Sequence, residues 1–393
     1  MAGGPGDPVA SGSMEISPGL DAIPARPEPD PTEADASDVF LPDEEVTAEQ
    51  VSLSRRLRQP RTIISIVIPL VIIAAFIGIN GAALAKVPGL IAGANPVLVA
   101  AAFGIFYLGF PLRGWRWKVL LRGTDFIIGT KDSTVIIFLS WLVNCVVPAK
   151  LGDLYRAYLL KINSTASLSK TFGTVFIERV LDVIAIALLG ILAGYWSFRD
   201  GLPPAVQVVF AIGLGVVVLL VFGLFTMRNF GRKILTILPL PHRVIELYDK
   251  FEVGVFGALR MRQLPFLGTV TVLIWMTESL RLYFVVAALG FPDVELGISG
   301  AVFVALIGSL LTAVPLSPAG LGIVEAGVVG VLTVAYKVPL PEATAIALLD
   351  RVISVFSVIV LGSIAYLFSK KPEGRDPILQ PGETVAQVMS AQV

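Results

Sequence analysis

The chain has 393 residues, of which 55% are hydrophobic and only 15% are charged. Soluble domains contain about 25% charged residues, so this composition excludes a soluble globular protein and indicates a polytopic membrane protein. The formal net charge is zero, but residues 1–50 carry twelve acids and one base, and the remainder carries a net charge of +11.

Few residues are available for the commonest catalytic and metal chemistries. The single cysteine, Cys145, excludes an intramolecular disulfide, and the single histidine, His242, leaves little for a zinc site or a histidine-based triad. The sequence contains no P-loop or dinucleotide fingerprint, so we do not expect ATP-driven pumping by this chain alone. We expect no cofactor, no metal and no nucleic-acid partner.

The first predicted segment, residues 1–54, is an acidic tail rich in Pro, Gly and Ser. Its composition predicts a disordered, cytoplasmic and solvated segment. The alternative is that it docks onto the protein's own basic cytoplasmic face. It lacks a basic stretch followed by an apolar core, so it does not resemble a signal peptide.

Six apolar segments of residues 55–371 are predicted to cross the membrane, which takes about 20 residues. They are 63–84, 95–112, 171–196, 205–227, 265–290 and 342–368. The distribution of Lys and Arg places both termini, including the short tail 372–393, in the cytoplasm. Residues 242–262 are too charged to span, and their apolar residues recur at helical spacing, which predicts an amphipathic helix on the cytoplasmic surface.

The second of these spans is predicted to end at Leu112. Arg113 and Arg116 follow, with Trp115 and Trp117 beside them. Bases interleaved with tryptophan are typical of a membrane interface, so we expect this stretch to lie at the cytoplasmic surface.

Two breaks interrupt the apolar sequence, the first between Asn144 and Arg156 and the second between Pro315 and Glu325. Hydrocarbon tolerates irregular backbone and charge only where protein or a water-filled cavity covers them. Paired breaks in the two halves of a chain therefore indicate a polar site near the membrane midplane. The turn residues are Pro148 and Gly152 in the first break and Pro315, Pro318, Gly320 and Gly322 in the second.

Each break separates two short apolar segments, which predicts a re-entrant helical hairpin. The segments are 134–147 and 151–162 around the first break, and 298–314 and 321–336 around the second. The predicted fold is an all-α polytopic membrane protein with six full transmembrane helices and two oppositely oriented re-entrant hairpins, arranged as an inverted repeat. In an alternative topology the second pair of segments crosses fully, which gives eight spans.

The spans and breaks contain ionisable residues, each of which costs roughly 2.5–3.5 kcal/mol at the centre of a membrane helix. They are Lys150, Asp153, Arg156, Glu178, Arg179, Asp182, Glu278, Arg281, Glu325, Asp350 and Arg351. Three acid–base pairs are three residues apart and can share a helix face: Asp153 with Arg156, Arg179 with Asp182, and Glu278 with Arg281. The pairs are either neutral struts between helices or parts of a binding site.

As a binding site, these residues favour an anionic head group such as a phosphate. Lys150, Arg156 and Arg179 would hold it, because bases and helix N-termini attract anions. Asn144 and Ser317 lie in the breaks, and Asn144 is expected to satisfy backbone groups at a helix end. Four carboxylates are expected to position the bases and to exchange protons: Asp153, Glu178, Asp182 and Glu325. Asp350 and Arg351 could form a helix–helix bond or belong to the site.

At these residues the chain resembles the flippase-like integral membrane family that includes the transmembrane region of lysylphosphatidylglycerol synthases, the multiple peptide resistance factors. The resemblance covers about residues 60–370. It lies in Arg113-Gly-Trp-Arg116-Trp117, in Asn144…Pro148-Ala-Lys150-Leu-Gly152-Asp153…Arg156, in Glu178-Arg179…Asp182, and in Pro315…Ser317-Pro318-Ala319-Gly320…Gly322…Glu325.

The chain departs from that family at three positions, since Lys150, Asp153 and Ala319 stand where the family usually has Arg, Glu and Gly. We find nothing similar to the soluble aminoacyl-transferase domain after residue 370. The resemblance therefore implies movement of lipids without their synthesis.

Three classes of function follow from the sequence. The first is a flippase-like transporter in the cytoplasmic membrane that moves an anionic or zwitterionic phospholipid, or a polyprenyl-phosphate-linked lipid, between leaflets. The second is an intramembrane enzyme acting on lipid-linked substrates, with a carboxylate as general base. The third is a scaffold whose acidic tail recruits a partner. The expected partners are membrane lipids, a lipid-biosynthetic enzyme and a second copy of the chain.

Overall fold

The structure is a computed structural model that describes residues 84–147, 151–162, 166–199, 204–237, 241–312 and 317–368, with the single residues 78, 81, 164 and 201. All of them belong to one of the two units into which the chain divides, residues 42–393. Helices and their connections account for the described residues, which contain no strand. The predicted all-α class is therefore confirmed for them. The two predicted tails and most of the predicted span 63–84 lie outside them.

Twelve α-helices follow one another in this part of the chain. They are α1 (Val87–Ala92), α2 (Pro96–Arg122), α3 (Thr130–Val146), α4 (Leu151–Ile162), α5 (Leu168–Ser197), α6 (Pro204–Ile237), α7 (His242–Ala258), α8 (Leu264–Leu289), α9 (Gly297–Leu311), α10 (Ile323–Ala335), α11 (Leu340–Arg351) and α12 (Ser357–Phe368). A π-helical turn, Val352–Phe356, joins α11 to α12, and a 3₁₀ turn, Pro318–Gly320, precedes α10.

Local sequence signals explain several helix ends. The side chain of Asn95 accepts a hydrogen bond from the Val97 amide at 2.9 Å, and Pro96 follows it at the first position of α2. Such caps satisfy amides that have no partner inside the helix. Gly290 ends α8 in the left-handed conformation, with φ of 59°, which glycine adopts without a steric penalty.

Five helical segments are long and apolar enough to cross a membrane by length and composition: Pro96–Arg122, Phe210–Ile237, Met261–Leu289, Pro318–Ala335 and Leu340–Leu367. Four of them coincide with predicted spans, and the fourth in chain order belongs to the second break. The remaining predicted span, 171–196, lies in α5, which has 30 residues but carries charged side chains in its middle.

The core forms around α2 and α8, which pack along each other, with α5 against both. Phe106, Trp117, Leu282 and Val285 are fully or almost fully buried in this core. Helix α9 packs on α5 and α8, and α12 packs on α3. This arrangement places the charged middle of α5 and the two breaks against the centre of the bundle.

Two predictions about α2 are wrong. The helix does not end at Leu112 but continues to Arg122, and Arg113, Arg116 and Trp117 are buried instead of lying at an interface. Trp117 donates to the Thr174 hydroxyl at 3.2 Å, which satisfies its indole N–H inside the protein.

Helix α7 corresponds to the predicted amphipathic segment 242–262. It packs against α5, α6 and α2, and its Val255 and Ala258 are fully buried. Asp249 pairs with Arg232 of α6, and Lys250 with Glu246, at exposed positions. The apolar side of α7 is therefore part of the protein's core.

Candidate functional site

The first break is closed by the side chain of Asn144. Its Oδ1 accepts a hydrogen bond from the Gly152 amide at 2.8 Å, and the Ser140 hydroxyl donates to the Gly152 carbonyl at 2.8 Å. A side chain at Gly152 would collide with the Ser140 carbonyl and with Asn144, so glycine allows α3 and α4 to approach. The hydrogen bond from the Gly152 amide is thus the helix-end contact that the sequence predicted for Asn144.

The second break contains three residues in left-handed backbone conformations, of which only Ala319 has a side chain that makes the conformation strained. Ala319, Gly320 and Gly322 have positive φ values of 50°, 70° and 81°. The Gly322 amide donates to Glu325 Oε2 at 2.6 Å, and the Ser317 hydroxyl donates to the Leu321 carbonyl at 2.9 Å. Glu325 therefore caps α10 and also stabilises the turn before it.

The two breaks meet in the folded protein. Helix α3 packs against the turn Pro318–Gly320. A cavity of about 210 Å³ lies between them, and Asn144 and Cys145 line it from one break, Ser317 and Gly320 from the other. This volume is well above the roughly 10–15 Å³ that one water molecule needs. The cavity is therefore large enough for a polar ligand group.

A network of ion pairs lies beside this cavity, with Arg116 of α2 at its centre. Arg116 donates from Nη1 to Asp182 Oδ1 at 2.6 Å and from Nη2 to Glu178 Oε1 at 3.0 Å. Its Nη1 also donates to the Thr271 hydroxyl at 2.9 Å, and the Trp275 indole donates to Asp182 at 3.1 Å. One arginine thus ties α2 to α5 and α8.

Two further arginines complete this first network. Arg156 of α4 donates to Glu178 Oε2 at 3.1 Å and lies over the Trp117 ring, 4.9 Å from its centroid. Arg179 donates to both carboxylate oxygens of Asp153, at 3.0 and 2.7 Å. Asp153 and Arg156, which the sequence paired on one helix face, thus both contact partners on α5.

A second network runs from α2 through α8 to α11. Arg113 donates to Glu278 Oε1 at 2.6 Å, and Glu278 also pairs with Arg281 one helical turn later. Arg281 in turn donates to the two oxygens of Asp350 at 2.7 and 3.1 Å. This bidentate bond joins α8 to α11 across the core.

The second break has its own ion pair. Arg351 donates from Nε to Glu325 Oε1 at 3.1 Å, and the Nη2 atom of Arg351 is buried without a hydrogen-bond partner among the described residues. Unpaired buried donors are costly and therefore uncommon. Arg351 is also one of the residues that line the cavity, so this unpaired nitrogen belongs to the cavity's wall.

Together these contacts involve as many arginines as carboxylates. The members are Arg113, Arg116, Arg156, Arg179, Arg281 and Arg351, with Asp153, Glu178, Asp182, Glu278, Glu325 and Asp350. Pairing of this kind offsets the cost of burying each charge. The described part of the site is electrically balanced.

The predicted site residues divide into three groups by position. Those that line the cavity are Asn144, Arg179, Asp182, Glu278, Arg281, Ser317, Gly320, Asp350 and Arg351. Those described elsewhere, in the networks or turns behind its wall, are Gly152, Asp153, Arg156, Glu178, Pro318, Gly322 and Glu325. Pro148, Lys150 and Pro315 lie outside the described residues.

Three residues of the ion-pair networks and the cavity wall are absent from the predicted site: Arg113, Arg116 and Trp275. Arg113 and Arg116 were assigned to an interface, although their spacing of three and the surplus of acids in the spans could have identified them as buried partners. Trp275 lines the cavity and donates to Asp182, and no pattern in the sequence singles it out. The described residues contain no cluster of His, Cys, Asp or Glu that could hold a metal ion.

The two halves of the site repeat with one spacing. Helix α4 begins at Leu151 and α10 at Ile323, and α5 begins at Leu168 and α11 at Leu340, both 172 residues later. The ion pairs follow the same shift: Arg179 with Asp153 corresponds to Arg351 with Glu325. Glu178 likewise corresponds to Asp350. Three charged positions therefore recur in both halves, whereas Arg156 and Asp182 correspond to the uncharged Val328 and Ser354.

Comparison with known proteins identifies a matching family model and several relatives. Residues 62–362 match the family model described as the lysylphosphatidylglycerol synthase transmembrane region. A UPF0104 membrane protein of Methanocaldococcus jannaschii is 35% identical over 241 residues, which are 60% of this chain and 97% of that protein. A UPF0104 membrane protein of Methanothermobacter thermautotrophicus is 26% identical over 327 residues, 77% of this chain and 94% of that protein.

Another relative bears the name of an enzyme. The glycosyltransferase AglD of Haloferax volcanii is 27% identical over 320 residues, which are 72% of this chain and 50% of that protein. The similarity thus covers half of AglD, and the name describes that protein as a whole.

Proposed function

This chain belongs to the family of the lysylphosphatidylglycerol synthase transmembrane region, and we propose that it moves a lipid with a phosphate-containing head group between the leaflets of the cell membrane. The lipid is an anionic or zwitterionic phospholipid or a polyprenyl-phosphate-linked lipid. The polyprenyl class is kept from the sequence analysis, and one relative is named as a glycosyltransferase. The protein acts as a transporter in this proposal and not as an enzyme.

The observation that carries the proposal is the charged cavity between the two breaks. Its wall contains Arg179, Arg281 and Arg351, each of which is paired with a carboxylate. A guanidinium group can exchange such a partner for phosphate oxygens, which it also binds with two parallel hydrogen bonds. The Arg351 Nη2 atom is free for such a bond, and the Arg179 side chain is 37% exposed. A phosphate group therefore finds donors inside the membrane domain, where lipid tails offer none.

The topology that we propose for this function has six full transmembrane helices and two oppositely oriented re-entrant hairpins, α3 with α4 and α9 with α10. The constant shift of 172 residues between the two halves supports an internal repeat. In the proposed topology the hairpins enter from opposite faces, which makes this repeat an inverted one. The lengths of α3 and α4, 17 and 12 residues, also favour re-entry, because a full span takes about 20 residues.

Leaflet exchange in proteoliposomes tests the proposal. Phosphatidylglycerol, phosphatidylethanolamine and a polyprenyl phosphate are each labelled on the hydrocarbon tail, and exchange is followed by quenching of the outer-leaflet label. The wild type is expected to accelerate exchange of at least one of them. In Arg351→Lys, which retains the charge but loses the guanidinium fork, we expect a rate roughly 10–100-fold lower.

Arg232→Gln is the matched control, because Arg232 pairs with Asp249 on the surface and its side chain is 71% exposed. It should exchange lipid at the wild-type rate. If no class of lipid moves with the wild type, the transporter proposal is wrong. Chemical conversion of a lipid by the purified protein would instead support the intramembrane enzyme.

A further inference from the structure

The carboxylates of the ion-pair networks differ in how much positive charge surrounds each of them. Three are each paired with two arginines: Glu178, Asp182 and Glu278. Two others each accept two hydrogen bonds from one arginine: Asp153 and Asp350. Glu325 has a single contact with an arginine, from Arg351 Nε to its Oε1 at 3.1 Å. Among these described carboxylates, Glu325 is therefore the one that is least neutralised.

The equivalent pair of the first half shows what the pair of Glu325 lacks. Arg179 donates from Nε and Nη2 to the two carboxylate oxygens of Asp153. In the second half, the Gly322 amide occupies Glu325 Oε2 at 2.6 Å, so only Oε1 is bonded to Arg351. The Nη2 atom of Arg351 is consequently left without a partner among the described residues, in the wall of the charged cavity.

A phosphate group bound beside Arg351 would share this guanidinium with Glu325. Two anions would then face one cation, and their repulsion is strong because the interior of a membrane domain screens charge poorly. Protonation of one anion removes the repulsion. A phosphodiester is a much stronger acid than a carboxylic acid, so the proton goes to the carboxylate. Binding of the head group and protonation of Glu325 therefore favour each other.

The elements packed against Glu325 contribute few other ionisable groups. Helix α10 packs against α9 and α11, and Glu325 is the one ionisable residue in the sequences of α9 and α10. On α11, Asp350 is bound by an arginine of α8, and Glu342 lies in the first turn, far from Arg351. Cys145 of α3 lines the cavity that Arg351 also lines. The Glu325 side chain is 17% exposed, so solvent can deliver a proton to it.

We propose that Glu325 takes up a proton when a phosphate head group binds beside Arg351, so that the lipid and the proton occupy the protein together. The inference rests on the proposed function and deepens it, because it makes the proton gradient the energy source for lipid movement. The proton comes from solvent and bonds to Oε1, while Oε2 keeps the Gly322 amide. The new O–H group donates to a phosphate oxygen, and no covalent bond of the lipid changes.

Proton counting by calorimetry tests this inference without requiring transport. Short-chain phosphatidylglycerol is titrated into the full chain in detergent, in two buffers that differ in their enthalpy of ionisation. The difference in binding heat gives the protons taken up by the protein, since the phosphodiester stays ionised throughout. We expect about one proton for each lipid bound by the wild type near neutral pH. Because the complex holds more protons than the free protein, the affinity should fall as pH rises, by up to about tenfold for each pH unit.

Glu325→Gln assigns the proton to its residue. Glutamine keeps a carbonyl oxygen for the Gly322 amide but does not titrate, so we expect this variant to bind the lipid without proton uptake and with little dependence on pH. Glu246→Gln is the matched control, because Glu246 is exposed on α7 and pairs with Lys250; it should take up the same proton as the wild type.

Three results would overturn the inference. One is proton uptake that persists in Glu325→Gln, which would place the proton on another residue. Another is an affinity that follows the sodium concentration instead of the pH. The third is binding by the wild type without a proton, which decides the matter even if Glu325→Gln does not fold.

Lipid exchange separates this inference from the function beneath it. In vesicles with a pH difference across the membrane, we expect the wild type to move lipid from the acidic side to the alkaline side. If lipid moves without regard to the pH difference and no proton is taken up on binding, the coupling is wrong and the transporter proposal survives. If a proton is taken up on binding but no lipid moves, proton-linked binding is supported and the transporter proposal fails. The absence of binding of phosphatidylglycerol, phosphatidylethanolamine and a polyprenyl phosphate at every pH would overturn both.

Discussion

Arg179 donates two hydrogen bonds to the carboxylate of Asp153, at 3.0 and 2.7 Å, and so fastens the helix after the first break to α5. The two residues are 26 positions apart, and Arg351 holds Glu325 across the same separation after the second break. In both halves, the acid lies in the first turn of a short helix and the arginine lies in the next helix along the chain, α5 or α11. These bonds therefore fasten each short helix to the bundle.

Exchanging the charges of this pair should separate the energetic contribution of the salt bridge from that of the surrounding residues. We expect Asp153→Arg and Arg179→Asp each to destabilise the protein by about 1 kcal/mol, a modest value because the Arg179 side chain is 37% exposed. The double exchange should recover part of the loss, since the pair is restored with reversed polarity. Thermal unfolding in detergent measures the stability of the two single variants and of the double exchange. Strict additivity of the single effects would show that the pair is not coupled.

Loss of one buried carboxylate should be far more damaging. Glu278 pairs with both Arg113 and Arg281, so Glu278→Gln leaves the buried Arg113 without its counter-charge and leaves Arg281 with Asp350 alone. We expect a loss of about 3–5 kcal/mol in the free energy of unfolding. Glu246→Gln removes an exposed surface partner of Lys250 and should change the free energy of unfolding by less than about 0.5 kcal/mol. Comparable losses in the two variants would contradict the buried network.

Glycine at position 152 should be required for the close contact of α3 and α4. Gly152→Ala introduces a β-carbon against the Ser140 carbonyl, and we expect a destabilisation of about 1–3 kcal/mol. Gly268→Ala is a suitable comparison, because that glycine lies in α8 with open space around it. It should stabilise the protein by about 0.5–1 kcal/mol, as alanine does in a helix interior. The unfolding temperatures of Gly152→Ala and Gly268→Ala, each compared with that of the wild type, test both expectations.

Ala319, the strained residue of the second break, allows the reverse change, from alanine to glycine, to be tested. Ala319 has a φ of 50°, a conformation that costs an L-residue about 1–2 kcal/mol and glycine little. Ala319→Gly should therefore raise the stability of the protein or leave it unchanged, although glycine also increases the entropy of the unfolded chain. Ala326→Gly, at an exposed position of α10, should lower it by about 1 kcal/mol. An equal loss in both variants would rule out strain at Ala319.

Cys145 provides a natural reporter of the cavity, since it is the only cysteine of the chain and lines the cavity wall. Its side chain is buried, so maleimide should modify it slowly in the wild type. Glu325→Gln weakens the bond to Arg351 beside it, and we expect modification to be several-fold faster. A lipid that enters the cavity should slow the reaction. Rates that respond to neither change would argue against a ligand site between the breaks.

Several features of this protein follow from its sequence alone. The share of apolar residues requires membrane helices, because only these satisfy every backbone group in hydrocarbon. The same physics requires Asp182, Glu278 and Arg281 to face protein or water, since an isolated charge in lipid is costly. Proline, glycine and Ser317 in the second break likewise predict an irregular turn. These conclusions depend on composition and local chemistry, which the sequence displays directly.

The choice of partners was decided only by the tertiary structure. Asp153 bonds to Arg179 instead of Arg156, and Arg116 joins two acids of α5, because these contacts depend on how α2, α4 and α5 pack. Local spacing describes one helix at a time, so it cannot specify contacts between residues tens of positions apart. The cavity between the breaks arises in the same way, from distances between helices that the sequence does not display.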